Sequence, residues 1–133
     1  MSQENVEVIR RGLQAFNQGD LDRALSMYDP RVEVRTLLSG TAHGRDQVRA
    51  AILDREKEVG GVQYIPEDLI DAGDMVVGVV NASGRGRLSG ISEKKFPAAQ
   101  QFAFVWTLRG GLVIRQEMFS SRAEALEAAG LEE

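Results

Sequence analysis

The stretch Gln101–Phe119, QFAFVWTLRGGLVIRQEMF, holds two apolar runs on either side of Arg109-Gly110-Gly111-Leu112. A Gly-Gly pair between two such runs signals a two-residue hairpin loop, because both central residues need positive φ. Register then follows by arithmetic. With Arg109 opposite Leu112, Phe104 faces Glu117, Trp106 faces Arg115 and Phe102 faces Phe119. One face of the hairpin is thus expected to carry Phe102, Phe104, Trp106, Arg115, Glu117 and Phe119. A carboxylate among three phenyl rings and an indole reads as part of a pocket wall. It is paired with Arg115, open to a water-filled cavity, or held partly protonated by desolvation.

Outward from the hairpin, the chain divides into helices first and strands afterwards. Val6, Ile9, Leu13 and Phe16 recur at steps of three and four on a segment opened by Ser2 and closed by Gly19, the pattern of an amphipathic helix. Asp20 is placed to cap a short second helix with Leu21, Ala24, Leu25 and Tyr28 inward, ended by Asp29-Pro30. A strand is expected at Val32 to Leu37, followed by a loop of glycine and small polar residues. A third helix after Asp46 turns Val48, Ile52 and Val59 inward and stops at Gly60-Gly61. Val62 to Ile70 contains Pro66, so it is an edge strand or carries a bulge. Asp71-Ala72-Gly73-Asp74 turns it into a long strand from Met75 to Arg87. The even positions of that strand, from Val76 to Gly86, are small, which leaves space over the sheet or lets it bend. Ser121-Arg122-Ala123-Glu124 is a capping box opening a last short helix. This order argues a single α+β domain over residues 1–133, with a strongly curved antiparallel sheet wrapped around helices on one side.

Composition narrows the function. The sequence has 133 residues, 43% hydrophobic and 27% charged, with 16 Lys+Arg against 20 Asp+Glu. A net charge of −4 disfavours nucleic acid, whose phosphates require clustered positive charge. With no cysteine, disulfides and thiolate chemistry are excluded. Neither a basic leader nor an apolar run of membrane-spanning length is visible, so no membrane association and a cytoplasmic location are expected.

Several stretches together resemble the SnoaL-like proteins of the nuclear transport factor 2-like superfamily. They are Asn5-Val6-Glu7 through Phe16-Asn17-Gln18-Gly19-Asp20-Leu21-Asp22, Asp29-Pro30-Arg31-Val32-Glu33, His43-Gly44-Arg45-Asp46, Leu69-Ile70-Asp71-Ala72-Gly73-Asp74, Phe104-Val105-Trp106-Thr107-Leu108-Arg109-Gly110-Gly111 and Ser121-Arg122-Ala123-Glu124-Ala125-Leu126. The resemblance covers nearly the whole chain and implies a cone-like α+β barrel with an apolar pocket between the helices and the concave sheet. In ketosteroid isomerases a tyrosine on helix one and an aspartate on strand one do the chemistry, and the matching positions here are Gly12 and Val34. Neither side chain can donate to an enolate or accept a proton. In SnoaL polyketide cyclases a histidine and an aspartate of the last long hairpin act on an aldol closure. The matching residues are Phe104 and Glu117, so the acid is kept as its homologue and the histidine is lost.

Each remaining signal has a plain reading beside the functional one. His43, the single histidine, lies in a loop, as a surface residue or one at the pocket mouth. Gly90-Ile91-Ser92-Glu93-Lys94 lacks the second glycine of a nucleophile elbow, and Gly84-Arg85-Gly86-Arg87 lacks the spacing of a dinucleotide fingerprint. Asp54 and Glu58, four apart on helix three, form a solvated face without the further ligands a metal needs. No metal site and no cofactor are implied. Two functions stand: a protein binding a small apolar molecule, and an acid–base enzyme on an apolar carbonyl or polyketide-like compound with Glu117 as its catalytic residue. In both, Phe16, Val34, Phe102, Phe104, Trp106, Arg115 and Phe119 form the ligand site. The deficit in acid–base partners favours the binder. The other hairpin face, with Ala103, Val105, Thr107, Ile114, Gln116 and Met118, is too apolar for a fully solvated sheet. It suits a homodimer interface on the outer sheet face, as the family often uses.

Overall fold

The chain runs through ten elements in the computed structural model, which describes residues 2–37, 40–58, 62–83 and 100–131. They are α1 (Ser2–Asn17), α2 (Leu21–Leu25), β1 (Tyr28–Thr36), β2 (Gly40–His43), α3 (Arg45–Glu58), β3 (Gln63–Ala72), β4 (Met75–Ser83), β5 (Gln100–Arg109), β6 (Leu112–Phe119) and α4 (Arg122–Ala128). The six strands form one sheet in the order β2-β1-β6-β5-β4-β3. All neighbours are antiparallel except β1 and β6, which run parallel. The sheet is therefore mixed, and it is not closed: β2 and β3 are its two edges.

Local chemistry accounts for most of these elements. Asp20 accepts from the Arg23 backbone N–H at 3.1 Å and starts α2, and the Ser121 hydroxyl accepts from the Glu124 backbone N–H at 3.2 Å at the start of α4. Gly110 and Gly111 both have positive φ, at 60° and 80°, as the hairpin requires. Pro66 meets both expectations for a strand proline, since β3 is an edge and its pairing shifts between Pro66 and Asp68. Three differences stand out. Tyr28 belongs to β1 instead of the second helix, β1 begins four residues early with an irregularity around Pro30, and Gly40–His43 forms strand β2 where a loop was expected. The stretch Gly90 to Lys94 and the strand continuation expected through Gly84 to Arg87 lie outside the described residues, as does the expected end of the third helix at Val59 to Gly61.

The helices cover both faces of the sheet. On the inner face, α1 packs across β3 and β4 while α3 packs on β1 and β2. One end of α1 is tied to the turn after β3 and the other to β3 itself. Asn5 Nδ2 donates to the Gly73 carbonyl at 3.0 Å, and Asn17 exchanges a pair of bonds with the Tyr64 backbone at 2.7 and 2.8 Å. The inner core gathers Ile9, Val32, Val76, Val80, Trp106 and Val113, all essentially inaccessible. On the outer face, Ala125 and Leu126 of α4 cover Val77, Ala103 and Val105.

The last hairpin departs from the simple register. Arg109 pairs with Leu112 and Leu108 with Val113, as the arithmetic demands, but beyond them β6 holds one extra residue. Thr107 then pairs with Arg115, Trp106 with Gln116, Val105 with Glu117, Phe104 with Met118 and Ala103 with Phe119. A single-residue bulge exchanges the two faces of everything past it. The inward series on β6 becomes Val113, Gln116, Met118, and Arg115 and Glu117 turn outward. The physical reason is desolvation: burying two charges costs several kcal/mol each, far more than one disrupted ladder pair.

The small residue Gly78 is likewise explained by the inner core. A Cβ added there would lie 2.5 Å from Trp106 Cζ3 and 3.0 Å from Leu69 Cδ2, so the glycine admits the indole instead of leaving empty space. Gly78→Ala is expected to destabilise the fold by about 1–3 kcal/mol through overpacking of this buried ring, read as a lower urea midpoint. An unchanged midpoint would mean the indole has room to move.

Candidate functional site

The concave face and the helices over it enclose a cavity of about 740 Å³, within the range of small-molecule sites. Gly12, Leu13 and Phe16 of α1, Ala51 and Ile52 of α3, and Val34, Phe104 and Met118 of the sheet supply apolar wall. Two ring contacts shape it. Phe104 and Trp106, two apart on β5, stack with centroids 5.3 Å apart at 17°, and Phe16 of α1 meets Tyr64 of β3 at 5.2 Å and 51°.

A polar cluster of neutral groups lies on the sheet side of this space, with one residue from each of three adjacent strands. Trp106 Nε1 on β5 donates to Gln116 Oε1 on β6 at 2.8 Å, and the Tyr28 hydroxyl on β1 donates to the same oxygen at 2.5 Å. An indole N–H can only donate, so the amide of Gln116 is fixed with its oxygen toward Trp106 and Tyr28. Among the described residues nothing accepts a hydrogen bond from Gln116 Nε2, and Gln116 lines the cavity. Burial pushes the Tyr28 phenol well above the ordinary tyrosine range, with the nearby Tyr64 adding to the rise and the Gln116 bond opposing it. Burial also raises the Tyr64 phenol, with Arg55 opposing and Glu56 adding. Both hydroxyls keep their protons at neutral pH.

Of the residues expected to form the site, Phe16, Val34, Phe104 and Trp106 line the cavity. Phe102 is buried in the same inner core but does not reach the cavity surface. Phe119 packs on the outer face beside α4. Arg115 and Glu117 are outside as well, where they join Glu33 and Arg35 in a small lattice of alternating charge. Arg115 lies 3.4 Å from Glu117 and 3.8 Å from Glu33, and Arg35 lies 3.9 Å from Glu117. The bulge thus corrects four expectations. Trp106 faces Gln116 and not Arg115, Glu117 lies across from Val105 instead of Phe104, Phe119 pairs with Ala103 instead of Phe102, and Gln116 and Met118 leave the face proposed for subunit contact.

Gln116 and Tyr28 are polar residues of the cavity that the sequence reading missed, as are Arg55 and Glu56 of α3 in its lining. A usable signal was present: with the simple register the inner set includes Arg115 and Glu117, whereas a shift by one replaces them with Gln116 and Met118. His43 is exposed on β2 opposite Glu33, with its backbone N–H donating to Gln47 Oε1 at 2.8 Å. Asp54 is an exposed residue of α3 at the cavity rim. Among the described residues no group of three His, Cys, Asp or Glu side chains is placed to hold a metal ion, and no helix is long and apolar enough to cross a membrane.

An open mixed sheet closed over by amino-terminal helices, with a largely apolar cavity between them, is the nuclear transport factor 2-like fold. Residues 9–116 match the SnoaL-like domain, and the chain belongs to that family. Solved structures agree in fold. TerC, co-crystallised with polyporic acid, is 23% identical with a TM-score of 0.74, covering 96% of this chain and 98% of its own. A putative polyketide cyclase from Sinorhizobium meliloti is 16% identical with a TM-score of 0.69, covering 84% and 93%. A protein of ketosteroid isomerase-like fold from Catenulispora acidiphila, in complex with trimethylamine, is 18% identical with a TM-score of 0.69, covering 94% and 93%. No curated protein matches the sequence.

Replacing Gln116 by leucine strips two buried donors of their acceptor, and Gln116→Leu is expected to cost about 1–3 kcal/mol of stability in denaturant unfolding. Glu117→Gln breaks only outer-face ion pairs. Its expected cost is below about 1 kcal/mol and shrinks in high salt. The reverse ranking would show that the outer charges, not the inner cluster, hold the hairpin.

Proposed function

We propose that this chain binds a small, largely apolar molecule in the cavity between α1, α3 and the inner sheet face. The observation that carries the reading is the cavity itself, about 740 Å³ bounded mainly by aliphatic and aromatic side chains, with neutral polar groups on its sheet side. Small molecules accompany two of the similar structures, polyporic acid with TerC and trimethylamine with the Catenulispora acidiphila protein.

Acid–base catalysis finds less support. Glu117, the one carboxylate in question, sits on the far side of the sheet between two arginines. The position matching the isomerase tyrosine is Gly12, where a Cβ would lie 2.1 Å from Met27 Sδ. A side chain there would first have to displace Met27. Assembly as a homodimer through the outer sheet face is part of this proposal, with the contact shifted to the alternating charges of Glu33, Arg35, Arg115 and Glu117. A monomeric mass at micromolar concentration in light scattering would refute it.

Trp106 is the sole tryptophan and lines the cavity, so its fluorescence reports on occupancy. Titration with the neutral dye N-phenyl-1-naphthylamine is expected to quench Trp106 saturably at one dye per chain. Ala51→Phe, at an exposed rim position, is expected to weaken the dye by about tenfold, equal to ~1.4 kcal/mol, without lowering the melting temperature. Unsaturable binding, or unchanged affinity in the variant, would count against an internal site.

A further inference from the structure

Gln116 holds the most specific chemistry in the cavity. Its amide is planar, and both lone pairs of Oε1 are taken, one by Trp106 Nε1–H at 2.8 Å and one by the Tyr28 hydroxyl at 2.5 Å. These bonds come from β5 and β1, so the amide is fixed from both sides and cannot flip without leaving the indole N–H facing another donor. The Nε2 group is left with two N–H donors and, among the described residues, no acceptor. A side-chain donor at the surface of an apolar cavity, held in place by its neighbours, is a preorganised half of a hydrogen bond.

We propose that Gln116 selects the ligand of this cavity, and that the ligand is a neutral molecule whose carbonyl oxygen, of a ketone or ester, accepts from Gln116 Nε2. This rests on the pocket-binding reading given above and adds the class of ligand. The charge argument is local: Gln116, Trp106 and Tyr28 are all neutral, and the charged residues of the lining, Asp54, Arg55 and Glu56, belong to α3 and not to the strands that hold the cluster, so an anionic group seated against Gln116 would lose its hydration without a countercharge from the cluster. A cation would meet the hydrogen side of the amide. An alcohol could accept from Nε2, but its own proton would then need an acceptor, and Oε1 has no lone pair left. Only the Tyr28 oxygen would remain for it. A carbonyl brings an acceptor and no proton, which is what the cluster lacks.

The test compares probes of nearly equal shape. Benzophenone, diphenylmethanol and diphenylmethane differ only in the central group and are to be titrated by calorimetry into the wild-type protein, Gln116→Glu and Gln116→Met. In the wild type, benzophenone is expected to bind about three- to tenfold more tightly than diphenylmethane, the range of one net neutral hydrogen bond, with diphenylmethanol between them. Gln116→Glu, titrated at alkaline pH where even a desolvated carboxyl is ionised, keeps an acceptor for Trp106 and Tyr28 but donates nothing, and Gln116→Met fills similar space without polar atoms. In both, the preference for benzophenone is expected to fall within about twofold. Because Gln116→Glu retains the acceptor, it covers the case in which Gln116→Met does not fold. Equal binding of benzophenone and diphenylmethane to the wild type would overturn the role of Gln116 and leave the pocket reading intact. So would tighter binding of diphenylmethanol, or a preference that survives in both variants. Binding of none of the three would overturn the pocket reading itself, and this inference with it.

Discussion

One extra residue in β6 governs the inner face of this protein. Arg115 and Glu117 alternate with Ile114, Gln116 and Met118, and the sheet must put one of these sets against the helices. Ion pairs at the outer surface are worth little, but the same charges facing an apolar core would each carry a large desolvation penalty. The bulge between the Val113 and Arg115 pairings resolves the conflict by letting Val113 and then Gln116 and Met118 point inward. Leu108, Trp106 and Phe104 on β5 keep their alternation throughout, so all the adjustment falls on β6.

The cluster of Tyr28, Gln116 and Trp106 depends on that adjustment. Each residue comes from a different strand, and the parallel pairing of β1 with β6 brings Val34 opposite Gln116 at this point. Gly78 completes the arrangement from β4 by giving the indole a place to lie. Four consecutive strands therefore meet at one buried ring, and the position of the cavity is set by the same contacts that hold the sheet together. Binding groups built on strands in this way keep their geometry better than groups on loops.

Much of the fold was legible in the sequence. The spacing of Val6, Ile9 and Leu13, the caps at Asp20 and Ser121, the Gly110-Gly111 turn and the behaviour of Pro66 are local signals, and each is expressed locally. The walls contributed by Phe16, Phe104 and Trp106 were visible for the same reason, since bulky apolar residues at strand or helix period have few other places to go. The polar part of the site was not. A hairpin register read from its turn is correct only until the first bulge, and a bulge arises from the balance of burial over the whole sheet. Tyr28 was misplaced on a helix because an α2 of five residues and a strand containing Pro30 leave no periodic trace of their junction. Short β2 lacked an apolar pattern altogether, since its residues are mostly exposed.

The helix α3 differs from the rest of the cavity wall. Among its described side chains only Val48 is buried, at 3% exposure, whereas Ala50, Ala51, Leu53 and Asp54 are exposed, Leu53 at 47%. A single buried valine contributes about 1.5–3 kcal/mol, and beside it stand half-buried Ile52 and the bond from Arg45 Nε to the Tyr28 carbonyl at 2.7 Å, so the apolar hold of α3 on the sheet is thinner than that of α1 with its buried stripe. Segments of that kind open locally well before the whole domain unfolds. The wall that a ligand would have to pass is thus also the wall whose residues can be exchanged at least cost to folding. A chain built this way keeps its cluster of Tyr28, Gln116 and Trp106 on the rigid side and leaves the shape of the remaining cavity open to revision, one solvent-facing helix position at a time.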